Sequence, residues 1–137
     1  MTQLTFENFT LSVQDRVLLK PVNLSMTLKG VSVVRGDNGA GKSLFLLALH
    51  GMRGCGGRVL WDGVDARQNR QSRGFLAQNP PILRRSVRAN LAFIRRVTGR
   101  GSEQEAERLL ARFNLHEKGH LPASRLSGGA DAPFRAG

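Results

Sequence analysis

Residues 4–11 (Leu-Thr-Phe-Glu-Asn-Phe-Thr-Leu) alternate apolar and polar side chains, the period of a strand with one buried face. Residues 17–19 and 22–28 predict two further strands, the second strictly alternating, and Lys29-Gly30 marks a turn. Val31-Ser32-Val33-Val34 is short and β-branched, which predicts a buried central strand running into a glycine-rich loop. Residues 43–50 are strong helix formers with Gly51 placed to stop them. Residues 52–57 hold three glycines and read as loop. Residues 58–61 predict a strand closed by the tight turn Asp62-Gly63. Gly74-Phe75-Leu76-Ala77 predicts another short strand, and Asn79-Pro80-Pro81 interrupts regular structure after it.

The pattern then changes period. Ser86 is placed to cap a helix with Val87, Leu91 and Ile94 on one face. A linker over residues 98–101 precedes Ser102-x-x-Glu105, a capping box, and Ala106, Leu109, Leu110 and Phe113 recur at helical spacing. A strand-rich part thus leads into a helical part, and the chain belongs to the α/β class.

Composition narrows the possibilities. One cysteine, Cys55, excludes a disulfide framework, and no apolar run approaches the roughly 18 residues of a membrane span. The first ten residues lack the basic start and apolar stretch of a signal peptide, so a cytoplasmic protein is expected. His50, His116 and His120 show no metal-ligand spacing.

The chain carries 21 Lys and Arg against 10 Asp and Glu, a net charge of +11. The excess is local: Arg67, Arg70, Arg73, Arg84, Arg85, Arg88, Arg95, Arg96 and Arg100 follow one another with no acid between them. No aromatic ladder accompanies them, so a docking face is expected rather than a direct nucleic-acid site.

The strongest chemical signal is Gly36-Asp37-Asn38-Gly39-Ala40-Gly41-Lys42-Ser43, which fits G-x-x-x-x-G-K-[ST]. Glycines let the backbone turn its N–H groups toward phosphate oxygens, and the helix after the loop adds its positive N-terminal end. Lys42 supplies a charge for the β- and γ-phosphates, and the Ser43 hydroxyl can ligate Mg²⁺. No N-K-x-D guanine-reading motif is present, which disfavours a GTPase.

Two later features refine this. Leu126-Ser127-Gly128-Gly129 is similar to the signature motif of ATP-binding cassette proteins, and Gln78 after the 74–77 segment resembles their Q-loop. Lys42, Gln78, the Ser86–Leu91 helix start and Ser127 also occur in that family's order. The resemblance covers residues 1–129. It implies a P-loop NTPase (RecA-like) core with an antiparallel β arm and a helical subdomain, incomplete at the C-terminus. Residues 1–81 would be the N-terminal part of the nucleotide-binding core and 82–129 the helical subdomain.

The resemblance further implies ATP and Mg²⁺ as cofactors. Gly36, Asn38, Gly39, Ala40, Gly41, Lys42, Ser43, Leu44 and Gln78 would bind the nucleotide, with Ser43 and Gln78 serving the metal. Ser127, Gly128 and Gly129 would reach the ATP of a second, identical ATPase subunit. The expected protein is the ATPase subunit of a bacterial importer, peripheral on the inner face of the cell membrane and joined to transmembrane permease subunits. Residues 78–87 are similar to the tungstate type. The alternatives are a soluble cassette protein acting on nucleic acid or ribosomes, and a non-functional gene remnant.

The sequence departs from the family in three places. Residues 11–14 hold no aromatic to stack on adenine, leaving Phe9 as the nearest candidate. Leu44 replaces a second hydroxyl residue. After Gly129, the family continues with Gln, a Walker B strand, a catalytic Glu and a switch His, whereas residues 130–137 read Ala-Asp-Ala-Pro-Phe-Arg-Ala-Gly. A one-base shift in the Ala130 codon permits L-S-G-G-Q-x-x-R-x-A-L, so residues 130–137 are expected to be an aberrant, frameshift-like tail. No catalytic residue is assigned, and the chain alone is expected to be inactive in hydrolysis.

Overall fold

The computed structural model describes residues 1–126; the signature triplet Ser127, Gly128 and Gly129 and the 130–137 tail lie outside the described residues. The chain divides into two compact units, Met1–Phe75 and a second beginning at Leu76.

The first unit is an antiparallel sheet with one α-helix and a 3-10 turn at Arg70–Ser72. Strands β1 (Thr2–Val13), β2 (Arg16–Leu28), β3 (Gly56–Trp61) and β4 (Val64–Asp65) stand in the order β2-β1-β3-β4. Helix α1 spans Lys42–His50. The predicted strands 17–19 and 22–28 are one strand. Lys20 and Pro21 lie between the pairs Leu11–Leu19 and Phe9–Val22, opposite Thr10 alone, so they bulge. An edge strand tolerates this proline because its missing N–H breaks no inner ladder.

The alternation in β1 carries a phase shift. Leu4 and Phe6 are buried, and so are Phe9 and Leu11. Glu7 and Asn8 together oppose Asn23, and this second bulge turns Phe9 back to the core side. Asn8 sits at φ 47°, and its N–H donates to Asn23 Oδ1 at 2.8 Å, pinning the irregularity. Gly57, at φ +67°, passes so close that a Cβ there would lie 2.1 Å from the Glu7 carbonyl. Ala48, Val59 and Ala66 complete the buried core, with Phe45, Leu49 and Trp61 packed against it.

Asp62 (φ 50°) and Gly63 (φ 81°) turn β3 into β4, as the sequence predicts. At the end of β4, Asp65 accepts from the Arg67 backbone N–H, Nε and Nη2 at 2.9, 3.0 and 2.8 Å. These side-chain bonds hold its carboxyl at about 2, below the usual 3.8. A carboxyl with a lowered folded pKa stabilises above its unfolded value and loses that stabilisation as pH falls. Stability from Asp65 is therefore full above about pH 4 and fades toward pH 2. Asp65→Asn is expected to flatten the acid limb in that window, measured as unfolding midpoint against pH. The effect is modest, because the Arg67 side chain is half exposed.

Two predicted strands do not form. Residues 31–34 carry no regular structure and pair with no strand among the described residues, and Val31 and Val33 are 91% and 71% exposed. Residues 74–77 are likewise unpaired, with Leu76 exposed. A β-branched run becomes a strand only when a neighbour accepts its ladder, and the described residues offer none here.

The second unit holds α2 (Val87–Thr98) and α3 (Glu103–Arg112). Ser86 Oγ accepts from the Ala89 N–H at 3.1 Å, and the Ser102–Glu105 capping box forms in both directions. Val87, Leu110 and Ala123 form a small core with Leu91, Leu115 and Leu126 against it. Of the predicted helix faces, Ile94, Leu109 and Phe113 are substantially exposed. No helix among the described residues is long and apolar enough to cross a membrane.

Candidate functional site

The glycine-rich loop lies between the irregular segment 31–34 and α1. The Asp37 carbonyl accepts from the Ala40 N–H at 3.1 Å, which closes a tight turn. Gly39 and Gly41 sit at φ +82° and +91°. Gly41 is the N-cap, and its left-handed backbone favours glycine; a Cβ there would also lie 2.9 Å from Leu18 Cδ1, the movable end of that side chain. The Phe45 N–H donates to the Gly41 carbonyl at 2.9 Å and starts the helical ladder.

The helix entrance is suited to an anion. No side chain caps α1, and its first turn contains no acid, so its positive end is not neutralised. Lys42 folds back over the loop: Nζ donates to the Gly36 carbonyl and, at 2.8 Å, to the Asp37 carbonyl. Gly36, Asn38, Gly39 and Ala40 are exposed, as is Ser43 in the first turn. Gly36 through Ser43 thus form one continuous, largely exposed loop and helix start with the Lys42 ammonium held on the loop carbonyls.

The other expected residues fare differently. The Leu44 side chain packs against the core, so only its backbone can face a ligand. Phe9 is fully buried, edge-on to Phe6 and Phe45 at centroid distances of 5.2 and 5.9 Å, and is not available to stack on a base. Gln78 belongs to the second unit. The loop after it is held by Asn90, whose Oδ1 accepts from the Leu83 N–H at 2.9 Å and whose Nδ2 donates to the Leu83 carbonyl at 3.1 Å.

Part of the arginine run is engaged within the chain. Arg67 serves Asp65, Arg88 forms a forked pair with Glu107 at 2.7 and 3.1 Å, and Arg73 donates to backbone carbonyls. Burial lowers the Arg73 guanidinium below its ordinary range. Sequence reasoning missed Arg73 and its neighbours His50 and Trp61. Their separation along the chain leaves no local spacing to read.

The sequence matches the ABC transporter family over residues 19–133. It is 36% identical to a putative ABC transporter ATP-binding protein of Deinococcus radiodurans, over 84% of this chain and 55% of that protein. The tungstate uptake system ATP-binding protein of Campylobacter jejuni is 32% identical, over 80% of this chain and 35% of its own length. The lipopolysaccharide export system ATP-binding protein of Haemophilus influenzae is 30% identical, over 94% and 58%. The chain spans about half the length of the curated relatives it matches, or less. With a family match over most of its length, residues 19–133, the chain belongs to the ABC transporter family as an ATP-binding domain.

Proposed function

We propose that this chain supplies the nucleotide-binding part of an ABC transporter ATPase subunit, holding Mg²⁺·ATP at the loop 36–43. The observation that carries this reading is the Lys42 ammonium seated on the loop carbonyls beside the uncapped start of α1. Backbone N–H groups from Gly36, Asn38, Gly39 and Gly41 would cradle the phosphates, with those of Lys42, Ser43 and Leu44 at the helix start, and Ala40 would line the loop. Lys42 would offset charge on the β- and γ-phosphates, and the Ser43 hydroxyl would join the metal.

Gln78 would contact the metal or the attacking water, and Ser127, Gly128 and Gly129 would serve the nucleotide of a second subunit. In this reading residues 1–81 belong to a RecA-like core and 82–129 to the helical subdomain. The subdomain would meet a transmembrane permease at the inner face of the membrane. Import is favoured, with an oxyanion of the tungstate type as cargo, because residues 78–87 resemble that type. The cargo itself would be selected by the membrane partners.

Hydrolysis needs a base for the attacking water. No residue is assigned as that base, so the chain alone is expected to retain Mg²⁺·ATP without cleaving it. Phosphate release by the purified chain tests this. Bound but uncleaved ATP supports the reading. Lys42-dependent release would contradict its catalytic part, and failure to retain ATP would contradict its binding part.

A further inference from the structure

The two ends of α1 are treated oppositely. At the loop end no side chain caps the helix. At the other end, all four terminal carbonyls, which a helix leaves without internal partners, have donors. Met52 N–H serves Leu47 and Gly51 N–H serves Ala48, each at 3.0 Å. Trp61 Nε1 donates to Leu49 at 2.8 Å, and Arg73 Nη2 donates to His50 at 3.3 Å.

Arg73 is the hub of this closed end. The same Nη2 donates to the Ala66 carbonyl at 2.7 Å, and the guanidinium carbon stands 5.2 Å from the Trp61 ring centroid. In return, His50 Nε2 lies 3.2 Å from the Arg73 carbonyl and must be the protonated nitrogen, since a carbonyl only accepts. The His50 ring also meets Phe75 edge-on at 5.4 Å. Arg73 therefore joins the end of α1, the residue after β4, and the segment that continues to Gln78. A planar fork with a cationic face makes these contacts together, which a lysine ammonium cannot do.

We propose that Arg73 is a positioning residue for nucleotide binding: it fastens the rear of α1 so that the first-turn N–H groups stand ready at the loop. A shift of α1 on binding is then transmitted to residues 73–75 and the adjoining Trp61. This inference rests on the nucleotide reading of the loop. Arg73 touches no nucleotide itself. Its cationic side chain acts along the helix, which is about 13 Å long.

The test uses the full 137-residue chain, whose single tryptophan is Trp61. Mg²⁺·ATP is titrated while Trp61 emission is followed, for the unaltered chain, Arg73→Met, Arg73→Lys and the core variant Val59→Ala. Arg73→Met is expected to weaken ATP at least about fivefold and to lose the Trp61 response. Arg73→Lys should fall between, and Val59→Ala should lose stability while keeping affinity. If Arg73→Met does not fold, Arg73→Lys decides alone. Wild-type affinity and emission response in a folded Arg73 variant would overturn the assignment, as would an equal affinity loss in Val59→Ala. Absence of ATP binding by the unaltered chain would overturn the nucleotide reading along with it.

Discussion

Lys42→Ala is expected to weaken Mg²⁺·ATP by about 100-fold or more, since charge-assisted hydrogen bonds are each worth about 1.5–3 kcal/mol. The ammonium is held by the Gly36 and Asp37 carbonyls rather than free in solvent. A charge already in place costs less ordering when an anion arrives. The same geometry makes the substitution mild for folding. Those carbonyls lie on an exposed loop, where water can replace the lost donor. Alanine is also the best helix former for the first turn. Equilibrium titration and thermal unfolding on one preparation separate the two effects: affinity should collapse while the transition barely moves.

Phe9→Ala should cost about 3–5 kcal/mol, the range for emptying a buried aromatic site. Phe9 is fully buried and touches two other rings, Phe6 from the same strand and Phe45 from α1. Its removal opens a cavity where sheet and helix join, and the bulge at Asn8 limits how far β1 can close it. Against a typical domain stability of about 5–15 kcal/mol, this loss leaves the first unit barely folded or unfolded. Trp61 lies in that unit, so its emission during urea unfolding reports the first unit specifically. A midpoint close to that of the unaltered chain would contradict the packing described.

Local chemistry was legible where one short segment suffices. Ser86 and the Ser102–Glu105 box cap their helices because the partners lie within four residues. Gly51 ends α1, and Asp62-Gly63 turns the hairpin, for the same reason. Features that depend on distant chain were not legible. Residues 31–34 have strand composition, yet a strand needs a neighbour, and none is found among the described residues. The phase shift in β1 depends on Asn23 reaching Asn8 across the sheet. The glycine-rich loop and the lysine that follows it could be singled out from spacing alone. The Arg73 cluster could not, because it gathers Leu49, His50, Trp61, Ala66 and Phe75 from separate places along the chain.

The same distinction applies to charge. In the sequence the nine arginines of residues 67–100 form one basic run. In the fold, Arg67, Arg73 and Arg88 are committed to Asp65, backbone carbonyls and Glu107. The run is therefore partly structural, and net charge overstates the positive surface available to a partner.

The central claim is that residues 36–43 form a working ATP site. Its most direct test is an equilibrium titration of the purified chain with Mg²⁺·ATP, with Lys42→Ala measured in parallel. The account predicts saturable, one-to-one binding by the unaltered chain that the substitution weakens about 100-fold or more. A folded chain that fails to bind, or that binds equally well without Lys42, would contradict it.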